Sequence, residues 1–197
     1  MKLANLCAAL LLGAASIAHA QDHAPHWDYG HHHGPAQWSS MESDFAACKV
    51  GKEQSPIDIR HAVKGKLPAL DLHYKSSAAE IVNNGHTIQV NLSDAGTLTI
   101  DGVPYRLVQF HFHTPSEEKI NGHAYAMVAH LVHQSADGKV AVIAVLFKEG
   151  KANAALADVF AHLPRTQGSP QAMAAGFDPT TILPAEQGYY SYTGSLT

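Results

Sequence analysis

Tyr105-Arg106-Leu107-Val108-Gln109-Phe110-His111-Phe112-His113-Thr114 alternates residue by residue. Leu107, Gln109, His111 and His113 fall on one face of a strand, and Val108, Phe110 and Phe112 fall on the other. Two imidazoles at i and i+2 therefore point the same way, ~7 Å apart at a rise of ~3.3 Å per residue. That is a chelating pair. A third candidate, His130, lies in the next alternating run, Tyr125 to Gln134, on a face with Val128 and Val132. A tight hairpin centred on Asn121-Gly122 would set His113 opposite His130, although Pro115 disturbs the ladder near that loop. Three histidines with no fourth protein ligand leave one coordination position for water. Closed structural zinc sites use four protein ligands, often cysteines, so an open three-His site is catalytic in type.

The same alternation extends outward from this stretch. Leu70, Leu72 and Tyr74 alternate with Asp71 and His73; Ile88, Val90 and Leu92 alternate with Gln89 and Asn91. Asn84-Gly85, Asp101-Gly102, Asn121-Gly122 and Asp137-Gly138 punctuate the runs, and both residues of such pairs tolerate positive φ, which favours hairpins. The expectation is a mainly β, mostly antiparallel sheet. One helix is expected from about Ala154 to His162, capped by Asn153, with Leu156, Val159, Phe160 and Leu163 on one face and Pro164 as its stop. Residues 21–56 show no clear periodicity and read as an irregular segment. No internal repeat, low-complexity linker or second domain is evident.

Of the 197 residues, 46% are hydrophobic and 15% charged, which excludes a disordered chain and a disulfide-dense miniprotein. The formal charge of −4 and the lack of any long basic run exclude a nucleic-acid partner. Fifteen histidines outnumber the 13 Lys and Arg, and imidazole is the commonest metal ligand, so the histidines carry the reading. Lys2, the apolar stretch Leu6 to Leu12 and the ending Ala18-His19-Ala20 read as a signal peptide cleaved after Ala20. The stretch is shorter than the roughly 20 residues of a spanning helix, so a periplasmic or secreted protein is expected, with no membrane span. Cys7 would leave with that peptide. Cys48 would then stand alone in an oxidising compartment, pointing to a missing partner, an intermolecular bridge or a free thiol. His31-His32-His33 reads as a solvated loop.

Several motifs in order resemble the α-class carbonic anhydrases, particularly the secreted bacterial ones. They are Trp27-Asp28-Tyr29-Gly30, Gly34-Pro35 with Trp38, Gln54-Ser55-Pro56-Ile57-Asp58-Ile59 and Asn83-Asn84-Gly85-His86. Gln109-Phe110-His111-Phe112-His113, Ser116-Glu117, Ala129-His130-Leu131-Val132-His133, Tyr189-Tyr190 and Gly194-Ser195-Leu196-Thr197 follow. The resemblance implies a central twisted sheet with a few short helices in a single domain, residues 21–197. It also implies zinc-dependent, reversible hydration of carbon dioxide to bicarbonate by zinc-hydroxide attack. His111, His113 and His130 would hold Zn²⁺, and Gln109 would orient a ligand imidazole from behind. Thr197 and Glu117 would aim the hydroxide; Val132, Val142 and Leu196 would line the CO₂ pocket. His86 would shuttle the proton, Tyr29 would join the water network leading there, and Trp27 and Trp38 would anchor the N-terminal segment by packing.

Two departures from the family pattern stand out. Position 128 carries glutamate in the family, accepting a hydrogen bond from the third ligand histidine, whereas this chain has Val128. Losing such a partner typically costs about 10–100-fold in metal affinity or activity, so weaker zinc retention is expected, restored by Val128→Glu. Glu118 stands where many relatives have histidine, from which little follows. Secondly, relatives continue beyond Leu196-Thr197 with a cysteine that pairs with the one matching Cys48, and with further strands. The resemblance therefore implies an incomplete domain lacking C-terminal strands. The alternative is a truncated, impaired or inactive carbonic-anhydrase-like zinc-binding protein.

Overall fold

The computed structural model describes residues 27–195; the expected signal peptide, Cys7, Leu196 and Thr197 lie outside the described residues. The described residues fall into two compact units, one ending at Lys49 and one starting at Val50. The first is more ordered than its aperiodic sequence suggests: α1 (Trp38–Met41), a 3₁₀ turn (Ser43–Ala46) and α2 (Ala47–Val50) follow one another. Trp27, Tyr29 and Trp38 pack edge to face, with centroids 5.3–5.9 Å apart. The Trp38 indole N–H donates to the His33 carbonyl at 2.8 Å. Both tryptophans act as packing anchors there, and His31 to His33 are exposed.

The second unit is built on strands. β1 (Asp58–Ile59), β2 (Asp71–Tyr74), β3 (Ala79–Asn83), β4 (Ile88–Leu92) and β5 (Gly96–Ile100) precede the 11-residue β6 (Val103–His113). Then come β7 (Lys119–Ile120), β8 (His123–Ala124), β9 (Met127–Ser135), β10 (Val140–Phe147) and β11 (Gln171–Ala172). The main sheet runs β10-β9-β6-β4-β3-β11, every pair antiparallel, with β5 joining β2 to β6. β1, β7 and β8 form a small separate sheet in which β1 and β7 are parallel. The expected β class and antiparallel sheet are both present. Asp101-Gly102 makes a two-residue turn between β5 and β6, both residues at positive φ (50° and 79°), as a type I′ turn requires. No helix among the described residues is long and apolar enough to cross a membrane.

One row of side chains crosses four strands: Val90, Phe110, Leu131 and Ile143 are register partners on the core face. The first three are fully buried. Phe110 also meets the Phe177 ring at 4.7 Å and the Phe112 ring at 5.6 Å. Burying a side chain of that size stabilises by about 1.5–3 kcal/mol and fixes which way β6 faces. Pleating then turns the neighbouring His111 to the opposite face.

Three expectations are corrected. A bulge at Val108 breaks the alternation of β6, so fully buried Leu107 belongs to the core with Phe110 and leaves the histidine face. The single expected helix is a 3₁₀ turn (Ala154–Leu156) followed by the short α3 (Ala157–Ala161). Asn153 caps it, its side chain accepting from the Ala155 N–H at 3.0 Å. Leu156 and Val159 are buried, whereas Phe160 is partly exposed and meets the Phe112 ring at 5.7 Å, and Leu163 is partly exposed. Thirdly, His130 pairs with His111, and Val128 with His113. The Asn121-Gly122 turn closes only the two-residue β7/β8 hairpin, which belongs to the other sheet, so it does not set the β6/β9 register.

Candidate metal centre

On the face opposite the core, two neighbouring rows run across the sheet. Gln89, His111, His130 and Ala144 are partners in one; Asn91, Gln109, Val132 and Val142 are partners in the next. β6 and β9 thus bring His111, His113 and His130 into a near-equilateral triangle, with ring centroids 5.1–5.3 Å apart. One ligating atom from each lies within 4.8 Å of the other two. Burial, then the neighbouring imidazoles, pulls His111 down to about 4; burial, then His130, does the same to His113. Both rings therefore present uncharged lone pairs at neutral pH, as metal ligation requires.

The nitrogens facing away from the triangle are committed. His111 Nδ1 donates to Gln109 Oε1 at 2.9 Å, which leaves Nε2 for the centre. His130 Nε2 donates to Glu118, with Oε1 at 2.9 Å and Oε2 at 3.0 Å, which leaves Nδ1. Each bond fixes a tautomer and a ring orientation. Within the triangle, Glu117 Oε2 stands 3.1 Å from His113 Nε2 and 3.9 Å from His130 Nδ1.

The buried contact from Glu118 overturns the expectation of a missing outer partner. Val128 is fully buried and offers no acceptor, but the carboxylate reaches the same imidazole from the loop between β6 and β7. Sequence reasoning passed over this residue.

The sequence pattern of the eukaryotic-type carbonic anhydrase family matches residues 33–197. The chain belongs to that family. Bacterial carbonic anhydrases are close in sequence: that of Neisseria gonorrhoeae is 43% identical over 197 residues, covering 99% of this chain and 78% of its own. That of Pectobacterium carotovorum is 40% identical over 98% of this chain and 79% of its own. The α-carbonic anhydrase of Thermovibrio ammonificans, solved with the inhibitor sulfanilamide, superposes with a TM-score of 0.82 at 42% identity. That match covers 87% of this chain and 77% of the solved one.

The other expected residues of this carbonic anhydrase are placed as follows. Val132 and Val142 are partners on the histidine face, beside the row that carries His111 and His130. His86 is half-buried in the β3–β4 turn. Asn84 Oδ1 accepts from the backbone N–H groups of both His86 and Thr87 at 2.9 Å. The Thr87 hydroxyl donates to the Phe112 carbonyl and accepts from its N–H at 3.3 Å, docking the turn on β6 between His111 and His113. Tyr29 belongs to the N-terminal unit. Leu196 and Thr197 lie outside the described residues. Cys48 is exposed, with a free thiol.

Proposed function

We propose that this chain is a zinc enzyme that hydrates carbon dioxide reversibly to bicarbonate and a proton, and that it works outside the cytoplasm after losing residues 1–20. The observation that carries the reading is the triangle of His111, His113 and His130, with Gln109 orienting the His111 ring and Glu118 the His130 ring. Three imidazole nitrogens within 4.8 Å of one another fit zinc in a catalytic-type site, and Cys48, the one cysteine of the described residues, is an exposed free thiol. His111 and His113 of β6 and His130 of β9 would hold the ion. When bound, zinc supplies a Lewis acid that makes hydroxide available near neutral pH.

The chain's own residues do the rest. Gln109 and Glu118 keep two rings aimed inward, so little reorganisation is needed when the ion binds. By the family resemblance, Glu117 would accept from the Thr197 hydroxyl and so orient it. Val132, Val142 and Leu196 offer an apolar surface suited to a small uncharged substrate. His86, half-buried in the β3–β4 turn, would take up the released proton and pass it to solvent. The ion and the leader peptide are supported by the donor set and by the Lys2 to Ala20 pattern respectively.

The test is CO₂ hydration by the zinc-loaded protein, with and without sulfanilamide, the inhibitor seen with the Thermovibrio relative. Turnover suppressed by sulfanilamide supports the reading. Stoichiometric zinc without turnover would replace it with a non-catalytic zinc protein.

A further inference from the structure

We infer that Glu118, on the loop after β6, is the positioning residue for the ligand His130. The inference rests on the zinc-site reading above. Position 128 sits two residues before His130 on the same face of β9, and its occupant here, Val128, is fully buried and partnered with His113. Nothing at that position can accept a hydrogen bond. Glu118 is itself nearly buried, at 6% exposure, and sets both carboxylate oxygens within 3.0 Å of His130 Nε2.

The loop is built to hold it there. Ser116, also buried, donates its hydroxyl to the Glu118 carbonyl at 2.7 Å and accepts from the Tyr125 N–H at 2.8 Å. The Ser116 N–H donates to the Tyr125 carbonyl at 2.9 Å, and the Lys119 N–H to the Ile57 carbonyl at 3.1 Å. Residues on both sides of Glu118 are thus tied to neighbouring segments, which fixes its backbone relative to β9. An outer carboxylate raises the basicity of a ligand imidazole and holds its tautomer, whichever element of the fold it comes from. Glu118 therefore supplies from the loop the acceptor that Val128, two residues before His130 on the strand, does not.

The test compares wild type, Glu118→Gln and the double variant Glu118→His/Val128→Glu. Zinc dissociation into excess chelator is the first readout, and the ¹H and ¹⁵N shifts of the His130 Nε2–H group are the second. Glu118→Gln keeps the side chain's size and its oxygen acceptor but removes the charge. It is expected to release zinc about 10–100-fold faster and to move the His130 Nε2–H signal upfield while leaving the His111 signal in place. The double variant returns the carboxylate to the strand and is expected to recover slow release. Glu118→Gln releasing zinc at the wild-type rate, with an unmoved His130 signal, would overturn the inference while leaving the zinc-site reading intact. Should Glu118→Gln fold poorly, recovery by the double variant still decides the matter, because a purely structural role in the loop would not be rescued from position 128. Wild type that binds no zinc at all would overturn the zinc-site reading, and this inference with it.

Discussion

Acidification is expected to weaken the fold through a histidine that plays no part in the metal centre. His133 is fully buried in β9, its Nδ1–H donating to the Ala141 carbonyl at 3.1 Å and its Nε2 accepting from the Tyr74 hydroxyl at 2.6 Å. The phenol ring stacks on the imidazole, at 5.8 Å between centroids, and burial pushes the phenol's own pKa up, so it stays a donor. A second proton on Nε2 would have to displace the hydrogen that the Tyr74 hydroxyl donates there, and burial pulls the imidazole's pKa from 6.5 down to about 4. Between those values the unfolded chain binds the proton and the folded chain does not. Stability is therefore full above pH 6.5 and falls as the pH drops towards 4. A fall from 6.5 to about 4, at about 1.4 kcal/mol per pKa unit, is about 3 kcal/mol. That is a large part of a typical domain's stability of about 5–15 kcal/mol, and it corresponds to roughly 6–12 °C in Tm for a chain of this size. Urea unfolding of metal-free protein at intervals from pH 7.5 to 4 measures it, with His133→Gln as the control that cannot titrate. Groups that ionise in both proteins cancel in the difference, so wild type should lose about 3 kcal/mol more than the variant across the window. Parallel losses in the two proteins would refute the reasoning.

Other consequences can be checked separately. Gln109→Leu removes the acceptor behind His111, and zinc release into chelator should quicken by about 10–100-fold. Val128→Glu alone, which the sequence suggested would tighten zinc binding, should instead place a second carboxylate in a fully buried position with no free donor; denaturant unfolding should show a loss of about 3–5 kcal/mol. Asn153→Ala removes the cap on the turn leading into α3 and should cost about 1 kcal/mol in the same assay.

The β6 stretch could be read directly because its outer positions obey simple alternation, and the Asp101-Gly102 turn because only residues tolerant of positive φ fit there. His111 and His113 follow from that reading, His130 from the next alternating run and the role of Gln109 from the family resemblance, and the structure gathers all four. The bulge at Val108 was not legible: one inserted residue moves Leu107 between faces without leaving a compositional mark. Nor was the β6/β9 register, because the turn that suggested it belongs to a different sheet. Glu118 escaped notice for a deeper reason. Sequence comparison treats positions 118 and 128 as independent, whereas the imidazole of His130 responds only to whether a carboxylate is within reach. Reading the two departures as a pair, one acceptor lost and one gained near the same ligand, was the signal available.

The most direct test measures zinc content and CO₂ hydration on the same samples of wild type, His111→Ala, His113→Ala and His130→Ala. Wild type is expected to hold one zinc per chain and to turn over, and each substitution should abolish both together. Turnover that survives removal of any one of the three imidazoles would contradict the account.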